Sequence, residues 1–518
     1  MPPVIHQSPY PYPSIRDALL GDYVLENAER NGDRPALVDA ETGSVTTYAE
    51  FVTRVDAVAA GLARSVAPGD VVALLSHNQP AWAVAFHAVV AAGAAVLPMN
   101  PAFTVEEMAR QLQLSRARAA ICASGVAPTV RKAATAAGIG NVFTLGDVAG
   151  MPSLENDVSV LGGRRPELDL DPTVAIAVLP FSSGTTGVPK AVKLTHRNIV
   201  ANIEQHRPVW QLGPDDVFCA ALPLFHIYGM TIVMNAALRA GARVITMPRF
   251  DLDRFIATVR DHQVTKLHLV PPVVAALASY PEIDTAVFSS VRTAVSGAAP
   301  LDPAAAERAE ERFGITIRQG YGMTEASPGV TYVPEDRVDE SPPDSIGVLV
   351  SGTQARVVDP VSGDDTDGAG ELWVHGPQVM AGYLGDRDAT RAVLTADGWL
   401  RTGDLVRVNS DGWWWLVGRL KELIKCKGYQ VAPAELETLL LTHPSVADAA
   451  VVGIPDAKAG EIPAAWIVPA GDIDADDLMS WMAGRVAPYK KVRVVQFIDA
   501  IPRSPAGKIL RRELRILP

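Results

Sequence analysis

The sequence has few cysteines, and this scarcity limits the covalent and metal chemistry that it can support. Its 518 residues contain three, Cys122, Cys219 and Cys426, which lie far apart in the chain. Three scattered thiols exclude a disulfide scaffold and a zinc site built on cysteine pairs. We therefore expect a protein of a reducing compartment, the cytoplasm.

Basic residues are also in deficit. The chain has 46 lysines and arginines against 58 acidic residues, which gives a net charge of −12. Because binding to a phosphate backbone needs a net basic face, nucleic acid is excluded as the main partner. A hydrophobic fraction of 48% is sufficient for a large buried core, so a mainly disordered chain is excluded as well.

Segments typical of export or membrane insertion are not evident. The first residues, MPPVIHQSPYPYPSIRDALL, lack the basic start and apolar centre of a secretory signal. The segment Ala81–Met99 carries no formal charge and has about the length of a membrane span. Pro80 and Gly93, however, predict a buried helix followed by a strand over Ala94–Leu97. We therefore expect no membrane span.

Short apolar runs alternate with helical patterns through the first half of the chain. Helices are predicted between several of them, for example over Val105–Leu114 and Leu252–His262. Continuous apolar runs are typical of parallel strands that are buried on both faces, so the pattern predicts an α/β fold. The predicted strands are Val71–Leu75, Ala94–Leu97, Ala119–Ala123, Val174–Leu179, Val217–Leu222, Arg243–Met247 and Lys266–Val270.

After about residue 330 the pattern changes to hairpins and then to a small C-terminal unit. The segment Leu405–Val417 contains two alternating runs joined by a turn at 409–412. Its three tryptophans are predicted to lie on a strand, with Trp414 on one face and Trp413 and Trp415 on the other. From Glu435 onward, helices and strands alternate again and predict a separate small domain.

The segment Leu179–Lys190 has the composition of an anion-binding loop. Gly184 and Gly187 let the backbone bend so that successive N–H groups face one anion, and Lys190 adds positive charge. The spacing is not that of a Walker A loop, because here the glycines are closer together and the lysine follows a proline. The hydroxyl donors of the loop are Ser182, Ser183, Thr185 and Thr186.

Together with further motifs, this loop resembles the signature of the adenylate-forming superfamily, which includes acyl-CoA synthetases, nonribosomal adenylation domains and luciferases. The motifs follow the family's order along nearly the whole chain, and those at 226–228, 431–437 and 487–491 are most similar to 4-coumarate–CoA ligases. The further motifs are PLFHIYG at 223–229, SGAAP at 296–300, QGYGMTE at 319–325, GELWVHG at 370–376, GWLRTGD at 398–404, GRLKELIKCKGYQ at 418–430 and PRSPAGK at 502–508.

The resemblance implies an α/β fold in which a large N-terminal region of several subdomains, one of them β-rich, spans 1–418. A small mobile α+β lid, 419–518, follows, with its hinge near Lys421. The implied activity is ATP-dependent ligation of an aryl-propenoic acid to CoA through an acyl-AMP intermediate, with ATP, Mg²⁺ and coenzyme A. The alternatives are a medium- or long-chain fatty acyl-CoA ligase, an enzyme that loads an acyl-carrier protein and a luciferase-like oxygenase.

The same resemblance implies a role for each residue around the nucleotide. The loop 182–190 is expected to hold the β- and γ-phosphates, Thr324 the α-phosphate and Glu325 the Mg²⁺ ion. Lys508 matches the lysine that bridges the carboxylate and the α-phosphate during adenylation, and lid rotation is expected to deliver it. Contacts with adenine, ribose or the adenylate are implied for Gln319, Gly320, Tyr321, Asp404, Arg419, Lys425 and Gln430.

Coenzyme A and the acid are expected at two further sites. Arg249, Lys427 and Gly428 match positions that approach CoA, and Gly428 is expected to leave room for the pantetheine chain. His226 is expected to gate the acyl pocket and orient the substrate, and not to act as a general base. The pocket itself is expected to be lined by Tyr228, Thr231, Ile232, Val295, Ala298, Gly322, Pro328 and Gly329.

The end of this pocket at Val295 is predicted to be apolar, and Gly322 and Gly329 are predicted to leave room for a flat ring or a chain. A phenolic hydroxyl buried there without a partner would cost about 1–3 kcal/mol. We therefore expect a preference for an aryl-propenoic acid without ring hydroxyls, such as cinnamate, or for a medium-chain fatty acid. Dihydroxylated cinnamates are expected to be poorer substrates.

Overall fold

The structure is a computed structural model that describes residues 3–182, 189–280, 284–427, 429–456, 458–504 and 507–514, apart from the side chains of Glu29 and Gln430. It consists of a large N-terminal domain and a small C-terminal domain, both of mixed helix and sheet. The fold class predicted from the sequence, an α/β region with a β-rich part followed by a small α+β unit, is confirmed.

Two large sheets form the frame of the N-terminal domain, and most neighbouring strands in them are parallel. Within the described residues, the first sheet has the strand order Leu194–Thr195, Ile176–Val178, Ala95–Met99, Val71–Leu75, Ala119–Ala123 and Asn141–Leu145. The second has the order Val348–Leu349, Gly329–Tyr332, Ile317–Gly322, Thr293–Ser296, Lys266–Leu269, Val217–Ala220, Arg243–Thr246, Pro35–Asp39 and Val45–Thr47.

All seven strands predicted from apolar runs are present, and their ends differ from the predicted ends by at most two residues. Where a strand is shorter than predicted, a local signal explains the difference. Lys266–Leu269 ends early because Val270 precedes the two prolines that begin the helix Pro271–Ala278. The predicted helix Leu252–His262 has the predicted bounds.

A β-rich part completes the N-terminal domain. The predicted turn at 409–412 joins the last two strands of this antiparallel sheet. Trp414 packs in the large core, whereas Trp413 and Trp415 pack in a separate cluster, so the two-faced arrangement of the tryptophans is confirmed. The strand order of this β-rich sheet is His6–Gln7, Gln354–Val358, Gly370–His375, Leu400–Val408 and Trp414–Arg419. A separate two-stranded ribbon pairs Phe181–Ser182 with Lys190–Ala191.

The C-terminal domain is built on its own sheet. Helices Pro433–Leu441 and Ala475–Ala483 share one hydrophobic cluster with this sheet, and Leu514 packs in a second cluster. Among the residues described there, the strand order is Tyr429–Val431, Ile424–Cys426, Gly460–Pro469 and Val446–Asp456, with Val494–Phe497 parallel to Gly460–Pro469.

Helix starts follow capping signals in the sequence. Thr47, Thr104 and Thr195 each form a capping box with the residue three positions later. The described α-helices outside the C-terminal domain are Leu20–Leu25, Ala28–Asn31, Tyr48–Leu62, Pro80–Ala91, Val105–Ser115, Ala127–Ala136, His196–Trp210, Ala237–Ala240, Leu252–His262, Pro271–Ala278, Pro303–Phe313 and Arg387–Val393. A last short helix spans Arg511–Leu514, and π-helical turns span Leu154–Val158 and Tyr228–Ala236.

The uncharged segment Ala81–Met99 is buried as predicted. It forms most of the helix Pro80–Ala91, then turns at Gly93, whose φ is +83°, into the strand Ala95–Met99. In the part of the chain that the structure describes, no helix combines the length and the apolar character needed to cross a membrane.

One hydrophobic core connects the two large sheets. It contains Val72 and Val96 from the six-stranded sheet, Leu37 and Phe218 from the nine-stranded sheet, and Trp82 from the helix Pro80–Ala91. Because the same core supports both sheets, the strand ends that carry the motifs are held in fixed positions relative to each other.

The chain passes from one domain to the other within a few residues. Trp414–Arg419 is the last strand of the N-terminal sheet, and Ile424–Cys426 is the first of the C-terminal sheet. The connection 420–423 contains Lys421, the predicted hinge position. Leu423 packs against Leu405 of the N-terminal sheet, so the two domains touch at this connection.

His87 is a buried titratable residue, and it makes the stability of the N-terminal domain depend on pH. Its ring is fully buried in the helix Pro80–Ala91 between Phe51 and Phe86, and neither ring nitrogen has a hydrogen-bond partner among the described residues. Burial lowers the pKa of His87 from 6.5 to about 3. Between these pH values the unfolded chain binds a proton that the folded chain cannot bind, so stability falls as the pH is lowered through this range.

At about pH 5 the lowered pKa of His87 reduces the free energy of unfolding by about 2 kcal/mol. We therefore expect the melting temperature of the His87→Leu variant to fall less than that of wild type when the pH is lowered from about 7.5 to about 5. Calorimetry on the transition of the N-terminal domain measures this difference. An identical acid-induced decrease in both proteins would mean that His87 is not held neutral in the core.

Candidate active site

The motif residues gather at the carboxyl ends of parallel strands in the nine-stranded sheet. Lys266–Leu269, Thr293–Ser296 and Ile317–Gly322 are neighbours in that sheet and run in the same direction. Loops that leave such strand ends border a crevice, which is where α/β proteins bind ligands. The motifs at 296–300 and 319–325 lie at this edge.

Glu325 is a buried carboxylate with two hydroxyl donors. It lies in the short 3₁₀ turn Thr324–Ala326 and is 5% exposed. Ser182 Oγ donates to its Oε1 at 2.7 Å and the Tyr383 hydroxyl at 3.0 Å. A role for this acid in capping a helix is excluded, because Met323 is the N-cap residue and its side chain forms no capping hydrogen bond. Thr324, the neighbouring residue, is only partly buried.

The first and last residues of the anion-binding loop are described, and its centre is not. Ser182 and Lys190 are paired across the two-stranded ribbon. The Lys190 ammonium lies 5.6 Å from the centre of the Tyr383 ring, on the same tyrosine that contacts Glu325. The predicted phosphate-binding residues Ser183, Gly184, Thr185, Thr186 and Gly187 lie outside the described residues.

A second lysine approaches Lys190 from the connection between the domains. Burial, followed by the positive charge of Lys190, lowers the pKa of Lys421. Lys421 and Lys425 line an open groove of about 710 Å³ at the edge of the C-terminal domain. A groove that is lined by two cations favours an anionic ligand.

Asp404 is the most deeply buried acid among the predicted nucleotide ligands. It is 2% exposed, and the Tyr321 hydroxyl donates to its Oδ2 at 2.6 Å while Arg419 Nε donates to its Oδ1 at 2.9 Å. The strand register explains the ion pair, because Asp404 and Arg419 are directly paired on neighbouring strands. Burial raises the pKa of Asp404, and the positive charge of Arg419 opposes this shift.

The other residues of the 319–322 strip have close packing partners. Gln319 Oε1 accepts a hydrogen bond from the Leu301 amide at 3.3 Å. A Cβ at Gly320 would lie 3.3 Å from the Tyr332 ring, so this backbone is covered on one face. Tyr321 is the member of the strip whose side chain reaches the acidic centre at Asp404.

Lys508 reaches the same centre from the C-terminal domain. Burial, and then the positive charge of Arg419, lower the pKa of Lys508, whereas the charges of Glu422 and Asp404 oppose this change. Gly507 has a φ of +80°, and a Cβ there would lie 2.8 Å from Pro272 Cδ. The loop that carries Lys508 therefore lies directly against the helix Pro271–Ala278 of the N-terminal domain.

The predicted CoA contacts are more peripheral. Lys427 is exposed, has a φ of +53° and donates its backbone amide to the Ala459 carbonyl. Arg249 is exposed and lies near His77, whose pKa is lowered by burial and then by the charge of Arg249. Lys425 donates its backbone amide to Glu461 Oε2 at 2.8 Å. Gly428 and the side chain of Gln430 lie outside the described part of the chain.

The glycines of the predicted acyl pocket do not leave open space, contrary to the sequence-based expectation. A Cβ at Gly322 would lie 2.4 Å from the Pro328 carbonyl oxygen, and one at Gly329 would lie 2.0 Å from the His206 ring. Similarly, a Cβ at Gly297 would lie 3.1 Å from the Tyr228 ring. These glycines instead allow protein groups to pack against the backbone.

The end of the pocket at Val295 is also more polar than predicted. Val295 is paired in register with His268, and the Tyr228 hydroxyl hydrogen-bonds to His268 Nδ1 at 3.0 Å. His268 is 4% exposed, and burial lowers its pKa to about 3 and that of His206 to about 4, so both rings are neutral. The residue beside Val295 on the neighbouring strand is therefore polar, a feature that the prediction of an apolar end did not include.

Neither histidine was identified from the sequence. His268 lies inside an otherwise apolar strand, and His206 lies on the helix His196–Trp210, far from any motif. A polar residue in the middle of a run predicted to be buried was the available signal for His268. No local signal marks His206, since its position beside Gly329 depends on packing across the sheet.

Several buried polar atoms around the pocket lack a hydrogen-bond partner. Among the described residues these include His226 Nε2, Thr231 Oγ1 and Ser296 Oγ. Burial lowers the pKa of His226 to about 4, so its ring is neutral at neutral pH. Buried polar atoms without partners are uncommon in folded proteins and are frequent where a ligand supplies the partner.

The remaining predicted pocket residues lie close by. Thr231 and Ile232 are buried on the π-helical segment Tyr228–Ala236. Ala298, which follows the strand Thr293–Ser296, has a φ of +71°, and Pro328 is buried beside Gly329. The segments that carry the predicted acyl residues touch one another at Gly297 and Tyr228 and at Gly322 and Pro328.

Comparison with known proteins agrees with this geometry. The sequence model of the AMP-binding enzyme family matches residues 24–384, and the model of the AMP-binding enzyme C-terminal domain matches residues 435–508. A curated relative, 4-coumarate–CoA ligase 3 from Oryza sativa subsp. japonica, is 38% identical over 530 aligned residues. That alignment covers 99% of this chain and 94% of the rice protein.

Solved structures agree as well. The chain superimposes on ATP-bound MatB from Rhodopseudomonas palustris with a TM-score of 0.88 at 29% identity, covering 96% of this chain and 98% of MatB. It superimposes on the amide bond synthetase McbA from Marinactinospora thermotolerans with a TM-score of 0.84 at 27% identity, covering 96% and 99% of the two chains. The chain therefore belongs to the AMP-binding enzyme family, the adenylate-forming enzymes that its motifs resemble.

Proposed function

We propose that this protein is an AMP-forming carboxylate–CoA ligase that activates an aryl-propenoic acid. The observation that carries the proposal is the contact of Gly507, next to Lys508 on the C-terminal domain, with Pro272 of the N-terminal domain, which brings the charge of Lys508 near the Asp404–Arg419 pair. Such a site lets one mobile cation act on a nucleotide held by the larger domain. The similarity to 4-coumarate–CoA ligases supports the class of acid.

In the first half-reaction, a carboxylate oxygen of the acid attacks the α-phosphorus of ATP. A P–O bond forms to the acyl oxygen, the bond to the β-phosphate oxygen breaks, and pyrophosphate leaves with its electron pair. Negative charge increases on the α-phosphate oxygens in the transition state. Lys508 and Thr324 are the groups that we assign to these oxygens, because positioned cations and donors stabilise such charge.

Nucleotide binding is assigned to the buried acidic centre. Each oxygen of Asp404 already accepts one hydrogen bond and has a further lone pair, which is available to a ribose hydroxyl. Arg419 and the Tyr321 ring complete this part of the site. Ser182 and Lys190, at the two ends of the anion-binding loop, are assigned to the phosphates.

Glu325 fits a role in holding Mg²⁺. Its buried carboxylate is accompanied by two hydroxyl groups, and hard oxygen ligands are those that Mg²⁺ prefers. Among the described residues there is no cluster of acidic, histidine or cysteine side chains that could hold a metal alone. We therefore assign the ion to Glu325 together with the phosphate oxygens of ATP. When bound, Mg²⁺ neutralises charge on the phosphates.

In the second half-reaction, a CoA thiolate attacks the acyl carbon and AMP leaves. We propose that the C-terminal domain, which begins after Arg419, turns about Lys421 between the two steps, as a short connection between two separate sheets permits. Lys427, Gly428 and Arg249 are assigned to CoA, and His77 joins Arg249 at that edge. Lys425 and Gln430 are assigned to the adenylate.

The acid is assigned to the pocket between Tyr228 and Val295. We propose that His226, a neutral and buried imidazole with an unpartnered nitrogen, orients the acyl group at the entrance. The polar pair Tyr228–His268 removes the reason for expecting a ring without hydroxyls. We therefore favour a 4-hydroxylated aryl-propenoic acid, such as 4-coumarate.

The identity of the acceptor is tested by one product assay. Acid, ATP and Mg²⁺ are supplied with CoA, with an acyl-carrier protein that bears a pantetheine thiol, or with an amine, since one structural relative is an amide bond synthetase. We expect the CoA thioester. A product with only the carrier protein or the amine would contradict the proposal.

The three buried, unpaired cysteines are compatible with the cytoplasm, which we propose as the compartment.

Asp404→Asn tests the nucleotide site. Replacing the carboxylate removes the charge that Arg419 and Tyr321 contact and weakens acceptance of the ribose hydroxyls. We expect the affinity for AMP, measured by calorimetry, to fall about 10- to 100-fold, because hydrogen bonds to charged groups are the stronger ones.

The matched control is Asp411→Asn in the exposed turn of the same hairpin, which should leave AMP affinity unchanged. Unaltered AMP affinity in a folded Asp404→Asn protein would contradict the assignment of the ribose to this centre.

Lys508→Ala tests the division between the half-reactions. We expect acyl-AMP formation to fall by about 100-fold or more, because a positioned cation at the transition state is lost. Conversion of preformed acyl-AMP to the thioester should stay within about three-fold of wild type. Pyrophosphate release and thioester formation are measured separately, with Lys132→Ala on the exposed face of a distant helix as the control. Equal loss of both steps in a folded protein would disprove the division.

A substrate series tests the pocket. Because a pocket with hydrogen-bonding groups discriminates against ligands that lack a partner, we expect kcat/KM for 4-coumarate to exceed that for cinnamate and octanoate by about 10-fold. His268→Leu should reduce the ratio of 4-coumarate to cinnamate toward one. A wild-type preference for cinnamate or octanoate would contradict the proposal that the pocket is polar, but it would not contradict the proposed ligase reaction.

A further inference from the structure

The candidate lysine of the adenylation step lies on a tight hairpin of the C-terminal domain. Arg503 and Ile509 form a β-bridge, and the Ser504 amide donates to the Lys508 carbonyl at 2.8 Å. In addition, the Gly507 amide donates to the Ser504 carbonyl at 2.8 Å and the Lys508 amide to Ser504 Oγ at 3.2 Å. These bonds join the two described arms, 503–504 and 507–509, to each other, and Ile501 and Ile509 pack next to them in the second hydrophobic cluster of the domain.

Arg503 adds a polar connection between these arms and the sheet of the domain. The Arg503 Nη2 group donates to both oxygens of Asp448, at 2.8 and 3.0 Å, and Asp448 lies on Val446–Asp456, the last strand in the order of the C-terminal sheet. The Nη1 group of the same guanidinium donates to the Gly507 carbonyl at 3.1 Å. A single side chain therefore joins the residue preceding Lys508 to the sheet.

The opposite side of the hairpin contacts the N-terminal domain. Gly507 lies against Pro272 so closely that no side chain fits between them. Gly507 thus lies between Pro272 on one side and the guanidinium of Arg503, which contacts its carbonyl, on the other. Because Lys508 directly follows Gly507, a shift of this carbonyl moves the base of the lysine side chain.

We propose that Arg503 is a positioning residue for the first half-reaction: held by Asp448, it places the Gly507 carbonyl and thereby aims Lys508 at the Asp404–Arg419 centre. The inference rests on the proposed function, in which Lys508 acts in acyl-AMP formation. Arginine suits this position because its planar group can donate to a carboxylate and to a carbonyl at once. Misplacement of a reacting group by about 1 Å can cost about 100-fold in rate.

A purely structural role for Arg503 predicts a different result. The neighbouring Arg511 is tied to Glu437 and Glu422, so the domain has a separate, more buried ionic network that stabilises it. Loss of a stabilising contact would lower the melting temperature and affect both half-reactions to the same extent. Loss of a positioning contact would affect the step that uses Lys508 and spare the step that does not.

The experiment compares Arg503→Met and Arg503→Lys with wild type in both half-reactions. We expect Arg503→Met to reduce acyl-AMP formation by about 10- to 100-fold with an unchanged KM for ATP, and to leave thioester formation from preformed acyl-AMP within about three-fold. Arg503→Lys keeps the charge but loses the planar group that donates to a carboxylate and a carbonyl at once, so it should recover part of the rate. Lys490→Met, which removes a surface ion pair with Glu435 in the same domain, is the control and should change neither step.

A charge exchange separates the two contacts of Arg503. The double variant Asp448→Arg with Arg503→Asp can restore the ion pair but cannot donate to the Gly507 carbonyl from position 503. We therefore expect it to regain the melting temperature of wild type and to remain slow in acyl-AMP formation. Full recovery of the adenylation rate would overturn the role of the Gly507 contact.

The outcomes separate this proposal from the proposed function. If Arg503→Met forms acyl-AMP at the wild-type rate while Lys508→Ala does not, the positioning role is wrong and the function stands. If Arg503→Met loses both half-reactions equally while folded, the role is structural and the proposal is also wrong. If Lys508→Ala itself forms acyl-AMP normally, the proposed function fails.

Discussion

The candidate site depends on the burial of one acid, Asp404, at the junction of the two domains. A carboxylate that is 2% exposed is tolerated only with a close cation or several donors, and Arg419 and Tyr321 fulfil this requirement. Arg419 is the last residue of the final N-terminal strand and lies two positions before Lys421. The strand pairing that neutralises Asp404 therefore also determines where the chain leaves the large domain.

The opposite side of the same centre is formed by the C-terminal domain. Lys508 lies near Asp404, Arg419 and Glu422, and Gly507 touches Pro272. Glu422 in turn binds Arg511, which is bonded to Glu437 inside the domain. Ionic contacts thus connect the nucleotide centre to the interior of the small domain. The hydrophobic clusters of the two domains, in contrast, are separate apart from a small contact at Leu423.

Much of this fold was predictable because its signals are local. Continuous apolar runs identified the parallel strands, Pro80 and Gly93 identified a buried helix and its end, and the hairpin turn at 409–412 was correct. The catalytic motifs were recognised as contiguous strings, so their residues could be named without the fold. Whether Lys508 approaches Asp404 could be inferred only through the family resemblance, since the two residues lie about a hundred positions apart in the chain.

The acyl pocket could not be predicted in the same way, because its shape depends on packing between distant segments. Gly329 and Gly322 suggested free space, yet His206 and the Pro328 carbonyl occupy it. Val295 suggested an apolar end, yet its strand neighbour is His268, which hydrogen-bonds to Tyr228. Sequence patterns predict which face of a strand is buried, but not which side chain of the next strand lies beside it.

In the proposed reaction, ATP activates the acid before any thiol takes part. Exchange of labelled pyrophosphate into ATP, measured with acid and Mg²⁺ but without CoA, is the decisive test of this order. We predict exchange that requires the acid and continues in the complete absence of CoA. Exchange that begins only when CoA is added, or release of ADP and phosphate in place of AMP and pyrophosphate, would contradict the account.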